Sequence, residues 1–437
     1  MHIPFLEKSA GIKGLPRLMS SDRFITDNVV MLAAGVAVNL LRYGYQLAMG
    51  IMLSPADYGL LMSLNSLLVI VGILTQTVGA VVTKTTATLR ADNRWDMVGR
   101  FYRISLKFNF FVGIGLFGIL AAAGVFITRW LNLGSMGSYI ILFSSLLFAF
   151  PLAGNWGIMQ GMQRFVTLGG TQTLFQFIQT AIAILFVALG AGIIGGIATI
   201  PITYLLILML SLYLLKNLPV TSQRKIAFPG IGRYTLHALL AFTAITVLTN
   251  VDVIIARRFL TPVDAGNYSA VSVLGRIAFY APAGIASVLF PKSAESVTLG
   301  KDNKKHYLMS LGLTVLIVAA ICLVYWLFPG TVMHFLFSDK YQNAAPYLLK
   351  YGLGMSLLAV TYLCLIYGLS IGKTSIAFIM LVVMGVQLGL LFTFHQSVAD
   401  FVNVMLISGV LSVAVTLPWI FVIKKRNKPV KPSHKTA

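Results

Sequence analysis

Long apolar stretches alternate with short polar connections along almost the whole chain. The hydrocarbon core of a bilayer is about 30 Å thick, and roughly 20 apolar residues of α-helix cross it. The pattern therefore predicts about twelve transmembrane helices, with an uncertainty of one or two around the weak border at 190–196. The predicted spans are residues 29–53, 59–83, 104–127, 139–160, 172–192, 194–215, 235–258, 266–290, 307–328, 347–371, 374–394 and 400–423.

The composition agrees with this pattern. Of 437 residues, 58% are hydrophobic and 10% are charged, which indicates an all-α polytopic membrane protein and excludes a soluble enzyme. The formal net charge of +21 would suggest nucleic acid as a partner in a soluble protein. Here it follows from cationic loops on one membrane face, so membrane lipids are the expected partners and nucleic acid is not.

Lysine and arginine mark the orientation, because cationic loops resist translocation. They concentrate before the first predicted span, in every second connection and after the last span. We therefore predict that both termini are cytoplasmic, in a multi-pass protein of the plasma (inner) membrane. Residues 1–28 lack the compact apolar core of a signal peptide. Apolar residues are interspersed with basic ones there, so we predict a cytoplasmic amphipathic segment on the inner membrane surface.

A short motif occurs twice, at nearly half the chain length apart. Leu53-Ser54-Pro55-Ala56-Asp57-Tyr58-Gly59 returns as Leu260-Thr261-Pro262-Val263-Asp264-Ala265-Gly266. A capping hydroxyl, a proline in the first helical position and an acidic residue two positions later are typical of a helix start. Each copy follows a span that runs outwards, so we predict two six-helix lobes as a parallel repeat around a central cavity. The predicted domains are 1–28 (N-terminal segment), 29–216 (N-lobe), 217–233 (cytoplasmic linker), 234–423 (C-lobe) and 424–437 (basic cytoplasmic tail).

Two arginines lie near the middle of predicted spans, Arg42 in the first and Arg276 in the eighth. A charge at mid-membrane is costly, so such residues face a protein interior or a watery cavity and often mark a substrate path. Guanidinium binds phosphate oxygens bidentately. Asp252, in the seventh predicted span, is a third charge inside an apolar stretch. The alternative is a structural Asp252–arginine ion pair, yet one aspartate cannot neutralise two arginines.

Further polar residues of the first-half spans are candidate substrate ligands. Glutamine side chains in a cavity hydrogen-bond sugar hydroxyls, and a lysine near an inner helix end attracts phosphate. Hydrogen bonds between helices and contact with lipid headgroups are the alternatives for these residue types. The candidates are Gln46, Gln76, Gln176 and Lys84.

Signatures of catalysis are absent from the sequence. The six histidines are scattered without ligand spacing, and the two cysteines lie far apart within predicted spans, so the sequence indicates neither a metal site nor a disulfide framework. No predicted outer loop is long enough for a soluble catalytic domain. We expect no enzymatic activity, no catalytic residue and no cofactor.

Several motifs, in this order along the chain, resemble the Wzx-type oligosaccharide flippases of the multidrug/oligosaccharidyl-lipid/polysaccharide superfamily. They are the turn from Leu53 with the polar helix that ends in Thr83-Lys84, Gln160-Gly161-Met162-Gln163-Arg164, Asn250-Val251-Asp252, Ala265-Gly266-Asn267-Tyr268-Ser269-Ala270 and Leu289-Phe290-Pro291-Lys292.

The resemblance implies a flippase that moves a polyprenyl-diphosphate-linked oligosaccharide from the inner to the outer leaflet by alternating access, for cell-surface polysaccharide biosynthesis. Arg42 and Arg276 would then hold the diphosphate or an acidic sugar, and Asp252 would be a candidate for ion coupling or for poising the charge of an arginine. A polysaccharide polymerase is a candidate partner. Two alternatives remain open: efflux of drugs or cations by the same superfamily, and a membrane-embedded polysaccharide polymerase. Mid-membrane positive charge disfavours the first, and the lack of a large outer loop disfavours the second.

Overall fold

The computed structural model of the protein describes residues 19–92, 94–133, 136–218, 233–298 and 304–422. The predicted basic tail, most of the predicted linker and residues 1–18 of the predicted N-terminal segment lie outside these ranges. The described residues form sixteen α-helices, one short π-helical segment and one 3₁₀ segment, with no strand among them.

The helices follow one another through short turns, as the alternating apolar pattern predicts. They are α1 (Met19–Met52), α2 (Pro55–Ala91), α3 (Trp95–Trp130), α4 (Met136–Ser144), α5 (Leu146–Gly161), α6 (Phe165–Phe186), α7 (Gly192–Leu215), α8 (Arg233–Leu248), α9 (Val251–Phe259), α10 (Pro262–Tyr280), α11 (Ala283–Thr298), α12 (Lys304–Leu327), α13 (Pro329–Phe337), α14 (Leu348–Ser370), α15 (Ile376–Thr393) and α16 (Val398–Val422).

Every predicted span overlaps a helix or a pair of consecutive helices, and the prediction of an all-helical membrane protein is confirmed. By length and composition, nine helices in the described ranges can cross a membrane, or ten if the bent pair α8–α9 counts as one span. One of the nine is the 51-residue stretch Phe165–Leu215. At 1.5 Å per residue it would extend more than twice the hydrocarbon thickness. Its helical geometry breaks at Gly190 (φ 88°), inside the predicted border of the fifth and sixth spans. The count of about twelve remains a prediction.

The described chain forms two compact units. The first takes its described residues from Met1–Ala48, Thr75–Leu120 and Phe143–Pro229, and the second takes the remaining described residues, including Met49–Leu74 and Ala121–Leu142. These two stretches are the predicted outer ends of helices in the first half of the chain. The predicted lobe boundaries remain a prediction. The terms first unit and second unit refer to these two compact units.

The core of the first unit lies between α2, α3, α5 and α7. Val82, Phe101 and Met159 are buried in it. Glycines let the backbones approach, as is typical of membrane helices. A Cβ atom on Gly157 would lie 2.7 Å from the carbonyl oxygen of Gly79, so any larger side chain would force α5 away from α2.

In the second unit, α14 is the central helix, in contact with α10, α11, α12 and α16. Gly354 and Gly409 make the contact between α14 and α16 close, since a Cβ atom on Gly409 would lie 2.7 Å from the carbonyl oxygen of Gly354. The chain bends by 41° between α8 and α9. Asn250 and Asp252 lie at the start of α9, next to this bend.

Both copies of the repeated motif start a helix, as predicted. The hydroxyl of Ser54 accepts a hydrogen bond from the backbone N–H of Asp57 (3.2 Å) and donates one to its Oδ2 (2.7 Å). Thr261 and Asp264 repeat these contacts at the same two distances. The prolines that follow the caps are the first residues of α2 and α10. The capping geometry is therefore the same in the two copies.

The two motif copies also contact each other inside the second unit. A Cβ atom on Gly266 would lie 2.0 Å from the backbone oxygen of Pro55, and one on Gly59 would lie 2.7 Å from the backbone nitrogen of Gly266. Ser63, one turn further along α2, donates a hydrogen bond to the carbonyl oxygen of Val253 (3.2 Å). The glycine that ends each motif is thus required by a backbone-to-backbone approach that no other residue allows.

Candidate functional site

The second unit contains a buried ion pair. Nη2 of Arg276, on α10, lies 3.3 Å from Oδ1 of Asp252, on α9. The Asp252 side chain is fully buried and the Arg276 side chain is 10% exposed. The structure therefore contains the pair that the sequence left as an alternative. This contact does not test whether Arg276 also binds substrate.

Two tyrosines complete the shell of Asp252. The hydroxyls of Tyr268 (2.7 Å) and Tyr351 (2.8 Å) both donate to its Oδ2. Their rings pack edge to face with centroids 5.7 Å apart. The carboxylate thus has three donors and no unsatisfied oxygen, whereas Nε of Arg276 is buried without a partner. A buried charge pair is tolerated only when such additional hydrogen bonds offset its desolvation.

The sequence analysis did not identify these tyrosines. Tyr268 carries a local signal, because it precedes Arg276 by eight residues and so lies on the same face of α10 two turns away. Tyr351 carries none, since it is 99 residues from Asp252 and belongs to another helix. Only packing brings its hydroxyl to the carboxylate.

Local structure explains how the cluster forms. Asn250 lies at the break between α8 and α9, and Asp252 falls in the first turn of α9, where a carboxylate is favoured by the positive end of the helix dipole. Gly275 makes room for Tyr351, because a Cβ atom there would lie 2.2 Å from the Tyr351 ring. A glycine beside the arginine is therefore necessary for the tyrosine to reach Asp252.

In the first unit, Arg42 has a different environment. Its side chain is exposed, and in the part of the chain that the structure describes it forms no ion pair. The adjacent backbone is fixed, because Thr180 on α6 donates to the carbonyl oxygen of Leu41 (3.1 Å) and Tyr45 donates to that of Gly196 on α7 (3.3 Å). Arg42 interacts electrostatically with Tyr204 on α7. The guanidinium thus projects from a backbone that α6 and α7 hold in place.

The sequence explains why Arg42 lacks a carboxylate. None of the six predicted spans of the first half contains an aspartate or glutamate, and in the second half Asp252 is the one acidic residue inside a predicted span, apart from Asp400 at a span boundary. Asp252 is already bonded to Arg276. One guanidinium of a predicted span, that of Arg42, therefore remains without an anionic partner within the described residues.

The other candidates belong to the first unit together with Arg42, whereas Asp252 and Arg276 belong to the second. Gln46 follows Arg42 by one helical turn and is half-buried, and Gln76 and Lys84 are exposed. Gln176 is buried, and its amide nitrogen donates to Oε1 of Gln179 (3.2 Å) on the same helix. Gln176 is thus engaged in a local hydrogen bond, and a role of these four residues in substrate binding remains a prediction. Within the described residues, no three His, Cys, Asp or Glu side chains converge on a metal site.

Comparison with solved structures shows which fold this is. An inward-facing multidrug resistance MATE family transporter of the MOP superfamily superimposes with a TM-score of 0.70 over 90% of this chain and 100% of its own, at 13% identity. The chain has the MOP transporter fold. The lipid II flippase MurJ, in an inward closed conformation, matches with a TM-score of 0.64 over 91% of this chain and 88% of its own, at 14% identity.

A third similar structure is a MOP superfamily transporter from Pyrococcus furiosus, described as having a binding pocket of reverse polarity that suggests a different function. Its TM-score is 0.60 over 90% of this chain and 94% of its own, at 14% identity. No family model matches the sequence, and no curated protein matches it. These three similar structures are two transporters and a flippase. At these identities they establish the fold and leave the substrate undetermined.

Proposed function

We propose that the protein is a flippase that moves a polyprenyl-diphosphate-linked oligosaccharide from the inner to the outer leaflet by alternating access. The observation that carries this proposal is that Arg42, in the first predicted span, has no carboxylate partner among the described residues. A permanently charged group at this depth requires an anion or water. A diphosphate headgroup supplies the anion.

The physical problem of flipping is the passage of a sugar-diphosphate through hydrocarbon, where unpaired charges and hydroxyls are very costly. Arg42 offers a planar fork that matches phosphate oxygens. In this proposal Gln46, one turn away on the same helix face, bonds a sugar hydroxyl. In this proposal, Gln76, Gln176 and Lys84 add polar ligands, and the polyprenyl tail stays in lipid.

Asp252 and Arg276 form the charge-poising element of the proposal. The three donors around Asp252 hold its carboxylate in one position. Arg276 is bonded through one nitrogen, and its Nε has no partner. A substrate phosphate would then compete with Asp252 for the guanidinium, and the tyrosines would keep the released carboxylate hydrogen-bonded. Ion coupling at Asp252 is the second role that we consider for this residue.

The likeness to the MATE family transporter favours a second candidate function, efflux of drugs or small cations. The charge distribution argues against it, because within the described residues the predicted spans leave a cation, Arg42, rather than a carboxylate without an ion pair. The lipid II flippase MurJ has the same fold, which is compatible with a lipid-linked substrate. We further propose the plasma membrane, both termini in the cytoplasm and a polysaccharide polymerase as a functional partner.

The test is replacement of Arg42 in cells that depend on this protein for export. We expect Arg42→Ala to abolish export and to accumulate lipid-linked intermediates at the inner leaflet, with the protein still folded. Arg42→Lys, which keeps the charge and loses the fork, should retain part of the export. Arg103→Ala, an exposed arginine of α3, is the matched control and should export normally. Normal export by Arg42→Ala would refute the proposal, and a drug-resistance phenotype without lipid-linked intermediates would support efflux instead.

A further inference from the structure

A second arginine of the second unit has unsatisfied hydrogen-bonding capacity. Arg257, in the last turn of α9, is only 9% exposed. Its Nη2 donates to the carbonyl oxygen of Asn132 (3.3 Å), while Nε and Nη1 are buried without any hydrogen-bond partner. Three of the five N–H donors of this guanidinium are on these two nitrogens.

The surroundings of Arg257 do not supply the missing acceptor. Asp57, in the first turn of α2, interacts with it electrostatically, but the described residues form no ion pair between them. Asn132 adopts a left-handed backbone conformation (φ 51°) and bonds the carbonyl oxygen of Arg258 through its side chain (3.5 Å). Arg258 is the neighbouring cation and lies over the Phe259 ring. The immediate environment is therefore net cationic.

A purely structural role explains this arrangement poorly. A side chain that only anchors the loop after α3 needs one hydrogen-bond donor. A neutral amide would provide that donor without the desolvation of a charge. Buried polar groups without partners are rare in folded proteins, and each one that exists needs an explanation. A guanidinium with two free nitrogens suits a ligand that presents several anionic oxygens.

The position of Arg257 indicates when such a ligand would bind. It follows Asp252 by five residues of α9, about 7.5 Å along the helix axis, towards the end that is predicted to face outside. The nearby starts of α2 and α10 meet at the contact of Gly59 with Gly266. Asp57, in the first turn of α2, interacts electrostatically with Arg257, so a separation of these helix starts would change the surroundings of the buried guanidinium.

Building on the proposed function, we propose that Arg257 is an exit site for the diphosphate group of the lipid-linked substrate, occupied when the two repeated turns part. The free Nε and Nη1 donors bind phosphate oxygens, and Asn132 keeps the third nitrogen oriented. The chemistry shared with free inorganic diphosphate is the pair of phosphate groups, and the polyprenyl tail distinguishes the lipid.

The test measures binding of two probes to the full chain in phosphatidylcholine nanodiscs: inorganic diphosphate and farnesyl diphosphate. Arg257→Gln keeps one donor for Asn132 and removes the charge. We expect it to weaken farnesyl diphosphate binding by about tenfold, the effect of losing roughly one charge-assisted contact. Arg258→Gln makes the same charge change one residue later, at a half-exposed side chain, and should bind like the unmodified protein. Arg257→Lys should fall between them.

A thermal unfolding measurement distinguishes a ligand-binding role of Arg257 from a purely structural one. Because Arg257→Gln removes a poorly satisfied buried charge, we expect its melting temperature to equal or exceed that of the unmodified chain. A lower melting temperature of Arg257→Gln with unchanged affinity for both probes would overturn the proposal and indicate a purely structural role. Equal affinities of the Arg257 and Arg258 variants would overturn it as well, and weakened binding of inorganic diphosphate alone would exclude the lipid as the ligand.

The outcome is independent of the test on Arg42. If Arg42→Ala exports normally while Arg257→Gln loses farnesyl diphosphate binding, the proposed flipping site fails and the diphosphate site at Arg257 stands. If Arg42→Ala abolishes export while Arg257→Gln binds both probes normally, the proposed function stands and the exit site fails.

Discussion

The ion pair of Arg276 and Asp252 permits a sharp test of whether it is structural or functional. Asp252→Leu removes a fully buried carboxylate and leaves a buried guanidinium without its counter-charge. Breaking a buried pair in this way costs about 3–5 kcal/mol. Arg276→Met leaves the carboxylate with its two tyrosine donors, so its cost should lie near the lower end of that range.

The double variant, Asp252→Leu with Arg276→Met, contains no unpaired buried charge. We therefore expect it to be no less stable than either single variant, which corresponds to a coupling energy of at least about 3 kcal/mol. The assay is equilibrium unfolding of purified protein by sodium dodecyl sulfate in mixed micelles, with helicity as the signal. Additive destabilisation, within about 0.5 kcal/mol of the sum, would refute the inferred pairing.

Export by the same double variant separates a structural role of the pair from a functional one. A structural pair can be replaced by apolar side chains, so a stable double variant would export normally. A guanidinium that holds phosphate cannot be replaced by methionine, and we then expect a folded protein without export. We predict a folded double variant without export, because Nε of Arg276 is buried without a hydrogen-bond partner while the arginine is paired with Asp252.

Three further predictions follow from close contacts in the second unit. Gly266→Ala should abolish export and increase the protease sensitivity of the intact protein, because its Cβ atom would lie 2.0 Å from a backbone oxygen, whereas Gly284→Ala points into open space and should leave both unchanged. Tyr351→Phe removes one donor to Asp252 and should lower the free energy of unfolding by about 1–3 kcal/mol in the detergent titration. Lys340→Met removes an exposed ammonium that caps carbonyl oxygens at the end of α1, so a loss of about 0.3–1 kcal/mol is expected.

Much of the fold is predictable because its signals are local. Twenty or so apolar residues define a membrane helix by themselves, and the cap formed by Ser54 or Thr261 lies within four residues of the proline and acidic residue that complete it. The mid-span charges are equally local, because depth in the membrane follows from position in the apolar stretch. Sequence reasoning therefore identified the charged residues of the cluster.

Contacts between distant helices were not predictable in this way. Tyr351 reaches Asp252 across 99 residues, and no periodicity within α14 distinguishes its hydroxyl from those of other tyrosines. The sequence likewise did not show why position 266 must be a glycine, because a glycine after a capping motif is common in turns. Its role depends on the backbone oxygen of Pro55, which belongs to the other motif copy.

The sequence alone determined that the chain is built from membrane-length apolar helices, and it predicted two arginines and one aspartate inside them, because hydrophobic length and charge are properties of single segments. Only the tertiary structure decided which arginine that carboxylate neutralises. Pairing depends on which helix faces come within about 3 Å of each other, and packing sets those distances. Because Asp252 pairs with Arg276, Arg42 has no carboxylate partner within the described residues, and the proposed function rests on that pairing.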